Sequence, residues 1–171
     1  MKISPKLIAR IAMLAAISIV LGKFLSIKIE PWGRLSFENM SVILCGYAFG
    51  PIAGLLCGVV ADLVGCLVYG YAINPIITLG AAMIGLLSGL FGARGAFGKP
   101  RLWLSLTLSH LVGSCIIKSI GIYIFYSTPL ETLALRVPMY ILCGGLEYIL
   151  ISVILRSKGL RAVFFEFGGR Q

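Results

Sequence analysis

Apolar residues in this chain neither alternate nor recur on one face; they run almost unbroken in long blocks with short polar breaks between them. Five blocks stand out, at about 6–26, 37–70, 75–93, 102–126 and 134–155. A bilayer core of ~30 Å is crossed by about 20 apolar helical residues at 1.5 Å each, and all but the second block have that length. The second, 37–70, would make a helix of ~50 Å, far more than the hydrocarbon thickness. Gly50-Pro51 lies inside it, and such a pair ends one helix and opens the next. The pattern therefore predicts an all-α polytopic membrane protein of six transmembrane helices in one bundle. They lie at about 6–26, 38–49, 52–70, 75–93, 102–126 and 134–155, and residues 1–171 form a single integral membrane domain.

Charge orients the bundle. With six spans, Lys2, Lys6, Arg10, Arg94, Lys99, Arg101, Arg156, Lys158, Arg161 and Arg170 all fall on one side. Only Lys23, Lys28, Arg34 and Arg136 flank the other. Excess Lys and Arg marks the cytoplasmic side, so both termini are expected there, in a cell membrane. The first apolar block is not followed by a small-residue cleavage site and is expected to persist as a helix. Composition supports a membrane reading: 59% of residues are hydrophobic and 12% charged, against about 25% charged in soluble domains. The net charge of +9 is spread over loops and tails and forms no basic, aromatic surface for nucleic acid. Cys45, Cys57, Cys66, Cys115 and Cys143 all sit in apolar blocks without CxxC spacing, so they read as small buried hydrophobes.

The chain carries no GxxxxGK[ST] phosphate loop, no HExxH and no nucleophile at informative spacing from its single histidine, His110. It is not expected to be an enzyme, or to hold a metal or cofactor, and His110 is expected to be a satisfied core residue. Ionisable groups inside membrane spans are costly and usually face a bundle interior or cavity. Here they are Asp62, Lys118 and Glu147, with Arg34, Glu38, Asn74 and Arg136 near the outer edge. Lys118 lies ~22 Å along its helix from Trp103, in the outer third. Asn74, just before Pro75, is placed to cap a helix or to meet a ligand. The outer side thus gathers Arg34, Lys118 and Arg136 near Trp32, Phe37 and Tyr123, a combination suited to a planar anionic solute. A structural alternative pairs Lys118 with Asp62 or Glu147 and leaves Arg34 and Arg136 as interface markers.

Small residues recur every four positions at Gly46, Gly50, Gly54 and Gly58, and again at Gly85 and Gly89, a spacing that lets helices approach closely in lipid. Ala9, Ala12 and Ala16 make the first helix similarly smooth, either for internal packing or for docking a partner helix.

The runs RLSFENMSVILCGYAFGPIAGLLCGVVADLVG and NPIITLGAAMIGLLSGLFG resemble the substrate-binding S components of energy-coupling factor (ECF) vitamin transporters, in particular the folate family. The most specific pieces are Arg34 to Phe37, Phe49 to Gly54 and Ala61 to Gly65. The resemblance implies a six-helix protein that binds a vitamin from outside, most readily folate, and hydrolyses no nucleotide. It works with a transmembrane coupling protein and two ATP-hydrolysing subunits and topples in the membrane to release its ligand. It also implies that Ala12 and Ala16 dock the coupling protein. In such a site Arg34, Lys118 and Arg136 would neutralise ligand carboxylates. Glu38 or Glu147 would accept hydrogen bonds from an amino-bearing ring, and Phe37, Trp32 or Tyr123 would stack on it. Residues 27–37 and 70–74 would form an outer lid over a cavity between the second, fourth, fifth and sixth helices. The chain departs from the folate-type pattern by having Glu38 in place of glycine and Ser41 in place of proline, so a different anionic or heterocyclic vitamin is the first alternative. The others are a standalone proton-coupled transporter using Asp62, Glu147 and His110, and a scaffold with no ligand.

Overall fold

The computed structural model describes residues 4–29, 33–92 and 99–157. Helix α1 (Pro5–Phe24) leads through a two-stranded hairpin, β1 (Ile27–Ile29) and β2 (Gly33–Leu35), into α2 (Glu38–Phe49), α3 (Pro51–Tyr69) and α4 (Pro75–Phe91). Next come α5 (Lys99–Leu108), a π-helical stretch (Ser109–Lys118) and α6 (Ser119–Tyr126), which follow one another without a break. A single turn, α7 (Leu130–Ala134), precedes α8 (Arg136–Arg156).

The chain punctuates these helices itself. Ser4 caps α1 by accepting from the Leu7 N–H, and Pro5, Pro51 and Pro75 each open a helix, where their missing N–H removes no helical bond. At the α2–α3 corner Gly50 has φ +96°, a left-handed backbone that only glycine adopts without strain. Asn74 Oδ1 accepts from the N–H groups of Ile76 and Ile77 at 3.0 and 3.4 Å, capping α4.

Two features depart from the purely helical expectation. The hairpin, with Lys28 opposite Arg34, is too short for period-2 alternation to announce it. The π-helical stretch lies inside what reads as one uniform apolar helix. Among the described residues, four segments are long and apolar enough to cross a membrane: Pro5–Gly22, Pro51–Tyr69, Pro100–Tyr126 and Glu131–Arg156. Helix α4 is apolar but shorter, at 17 residues. Helix α2 has 12, or about 18 Å of rise.

That short helix is the hub. Its residues Ser41 to Tyr47 are all buried, enclosed by α1, α3, α4, α5 and α8. Backbones come closest where α3 meets α4: a Cβ on Gly54 would collide with the Gly85 carbonyl, and one on Gly85 with Gly54. Without a hydrophobic effect between helices in lipid, such close packing supplies much of the association energy. Hydroxyls supplement it, as Ser105 and Ser109 donate to the α4 carbonyls of Ser88 and Ile84, both at 3.1 Å. Large apolar side chains on the outside of α1, α3, α6 and α8 are exposed, as befits a surface solvated by acyl chains. Among the five free cysteines, Cys45, Cys57 and Cys143 are buried and Cys66 and Cys115 partly so.

Candidate functional site

At the hairpin end of the bundle the helices splay around a cavity of about 210 Å³. Helix α1 contributes Ser18 and Gly22, α2 contributes Glu38 and Asn39, and α3 presents Asp62 and Tyr69. The α3–α4 connection adds Tyr71 and Asn74, α6 adds Tyr126, the π stretch ends at Lys118, and α8 supplies Arg136 and Tyr140. A smaller cavity of about 80 Å³ adjoins it, sharing Glu38, Asn39, Arg136 and Tyr140 and adding Ser36, Met139 and Cys143.

Lys118 faces this cavity because of the π stretch. Nine residues separate it from Ser109, which is about 2.5 turns of α-helix and would set the two on opposite faces. Hydrogen bonds running i→i+5 widen the helix so that nine residues make about two turns, and both residues are buried in the bundle. Gly80 makes room: a Cβ there would come within 2.6 Å of Lys118 Cγ. Lys118 Nζ lies 3.5 Å from Glu38 Oε1, joining α2 to the π stretch. Its partner is thus neither Asp62 nor Glu147. Asp62 Oδ2 accepts from the Thr78 hydroxyl at 2.6 Å. Arg136 donates from Nη2 to the Tyr140 hydroxyl at 2.5 Å and lies 5.4 Å from that ring's centroid.

Of the residues expected at a site, Glu38, Asn74, Lys118 and Arg136 therefore meet around one cavity. Asn74 has two jobs, since it caps α4 and also donates from Nδ2 to the Gly121 carbonyl at 3.3 Å. The others lie elsewhere. Tyr123 is 50% exposed, and the cavity positions on α6 belong to Ile122 and Tyr126; one residue along a helix is a turn of about 100°. Phe37 is half-buried at the start of α2 and lines neither cavity. Glu147 is wholly buried away from both, its Oε2 lying 2.7 Å from His110 Nε2. His110 Nδ1 is in turn 3.4 Å from the Ser114 hydroxyl. Arg34 has its backbone in β2, while its side chain and all of Trp32 lie outside the described residues.

The cavity draws on α1 and α3 as well as the four helices expected. The tyrosine wall of Tyr69, Tyr71, Tyr126 and Tyr140 was not read from the sequence, although tyrosines near one end of several apolar blocks were a usable signal. On the outside of α1, Ala12 and Ala16 are exposed, while Ala15 is buried against the core. Among the described residues no three His, Cys, Asp or Glu side chains are grouped to hold a metal ion.

A family model described as "ECF transporter, substrate-specific component" matches residues 6–156. A solved structure of FolT bound with folic acid superposes with a TM-score of 0.73 at 22% identity, covering 98% of this chain and 96% of that one. The S component of a bacterial ECF transporter superposes with a TM-score of 0.64 at 24% identity, covering 88% and 94% of the respective chains. Among curated proteins no sequence matches.

Proposed function

From the premise that the chain belongs to the family of ECF transporter substrate-specific components, we propose that it binds folate from outside the cell for ATP-driven uptake. The observation that carries this reading is the meeting of Lys118 and Arg136, from separate helices, in one tyrosine-lined cavity beside Asn74 and Glu38. A folate molecule offers carboxylates to the cations and flat rings to the tyrosines. Charge-assisted bonds in a partly dry site are about twice as strong as neutral ones, and aromatic pairs add about 0.5–1.5 kcal/mol beyond area burial. The FolT structure, with folic acid bound in a similarly folded chain, supports the choice of ligand.

In this reading the six helices cross the membrane with both termini cytoplasmic, which the bias of Lys and Arg toward one side supports. The cavity then opens outward, with residues 27–29, 33–37 and 70–74 at its lid; residues 30–32 of the expected lid lie outside the described residues. A transmembrane coupling protein and two ATP-hydrolysing subunits supply the power stroke, and toppling of the bundle delivers the ligand inward.

The test is a thermal-shift screen of vitamins against the purified protein. Folate at 100 times its Kd is expected to add ~2.7 kcal/mol of stability; no shift with folate alongside one with another vitamin would replace the ligand. Arg136→Ala is expected to weaken folate binding by about 1.5–3 kcal/mol, a loss of roughly 10- to 150-fold measured by titration calorimetry.

Docking has its own check. Ala12 and Ala16 present a smooth, exposed face on α1, where small residues allow close helix approach. The double variant Ala12→Leu/Ala16→Leu is expected to abolish co-purification with the coupling protein while leaving ligand affinity unchanged. Loss of ligand binding instead would mean that the stripe supports the bundle itself.

A further inference from the structure

The charges around the larger cavity do not all answer one another. Glu38, Asp62, Lys118 and Arg136 line it, and of these Glu38 and Lys118 are 3.5 Å apart and form a pair. Arg136 engages the hydroxyl and ring of Tyr140 and meets no carboxylate among the described residues. Asp62 takes one bond, from Thr78, and no described cation forms an ion pair with it.

A carboxylate in a membrane-crossing helix without a counter-charge is costly, and such groups mark ligand or ion pathways. Its position is informative too. The cavity face of α3 runs Gly58, Ala61, Asp62, Gly65, Cys66 and Tyr69, the three- and four-residue spacing of one helical stripe. Asp62 sits in the middle of that stripe, flanked by residues too small to keep a ligand at a distance. The Thr78 hydroxyl holds Oδ2 and leaves Oδ1 as an acceptor. Tyr69 and Tyr71, with ring centroids 5.8 Å apart, continue the same wall and offer a face for a flat ring.

We propose that Asp62 selects the ligand by accepting hydrogen bonds from an edge of N–H donors on a nitrogen heterocycle, while Arg136 takes its acidic end. The proposal deepens the folate reading and rests on it for the choice of heterocycle: the amino group and adjacent ring N–H of a pteridine form such an edge. One anion and one cation left unanswered among the described residues of a single cavity match a ligand with a donor-rich head and an acidic tail.

The experiment titrates the full chain in lipid nanodiscs with folate, with 6-hydroxymethylpterin, which has the donor edge and no carboxylate, and with 4-aminobenzoyl-glutamate, which lacks the pteridine. Asp62→Asn keeps an acceptor for Thr78 but turns an N–H₂ donor group or a weaker acceptor toward the ligand. It is expected to weaken folate and 6-hydroxymethylpterin by about tenfold or more and to leave 4-aminobenzoyl-glutamate within about twofold. Thr78→Val, which frees the carboxylate from its anchor, is expected to give the same selectivity pattern at smaller size. Unchanged folate affinity in Asp62→Asn, or equal losses for all three ligands, overturns the role of Asp62 while leaving the folate reading intact. If the wild-type chain ignores pteridines but binds another heterocycle with an N–H donor edge, and Asp62→Asn loses it, the folate reading fails and Asp62 keeps its role. A wild-type chain that binds no donor-edged heterocycle overturns both.

Discussion

Replacing His110 with alanine is expected to destabilise the bundle by about 3–5 kcal/mol, because it leaves a buried carboxylate without its partner. Glu147 is 0% exposed and His110 5%, and their 2.7 Å contact joins α8 to the π stretch. The other oxygen, Oε1, has no hydrogen-bond partner among the described residues, so Glu147 has nothing in reserve when the imidazole is removed. Helix α8 also buries only a narrow stripe, Met139, Cys143, Glu147 and Ile151, at one residue per turn. Arg136 and Tyr140 stand on that same helix, so loosening it moves half of the polar site. The double variant His110→Leu/Glu147→Met removes both polar groups and keeps the volume. It is expected to match or exceed wild-type stability to within about 1 kcal/mol, since well-packed apolar replacements of buried pairs are often neutral or stabilising. Equilibrium unfolding in detergent measures both. A single variant no less stable than the double one would show that the pair tethers nothing.

Gly85→Val is expected to cost more still and to leave little folded protein. The Cβ it introduces strikes the backbone of Gly54, and unlike a flexible side chain a helix backbone has no rotamer to escape into. The two helices must separate, giving up the closest packing in the molecule, and overpacking costs of ~1–3 kcal/mol are a lower bound here. Asp62 lies on α3 and Thr78 on α4, so their hydrogen bond and the cavity wall go with it. Yield of monodisperse protein and its melting temperature report the effect. Gly145→Ala on α8 is the control, because a Cβ there meets nothing within 4 Å. It is expected to stay within about ±0.5 kcal/mol of wild type. A Gly85→Val protein that melts like this control would mean that α3 and α4 do not rely on their close approach.

How much of this was legible in advance differs by residue. Gly50-Pro51 and Asn74-Pro75 act through their own backbone chemistry, a positive φ and an N-cap, so their roles can be read locally. Lys118 was recognisable as an intramembrane charge, but not its partner: Glu38 is 80 positions away in the chain. Glu147 reads as a ligand acceptor until α8 turns it onto His110. Tyr123 and Tyr126 are equally good aromatic candidates in sequence, and only the rotation of α6 separates them.

The sequence by itself determined that this is a multi-helix membrane protein, where the long blocks break, and which family its motifs resemble. It did so because bilayer thickness, proline and glycine act on local stretches of chain. Only the tertiary structure decided that Asp62 stands in the cavity wall without a cation among the described residues, that His110 pairs with Glu147, and that a π-helical stretch turns Lys118 inward. Those outcomes depend on helix rotation and on contacts between residues far apart in the chain, and an error of one residue in a helix's phase turns a side chain by about 100°, from cavity to lipid.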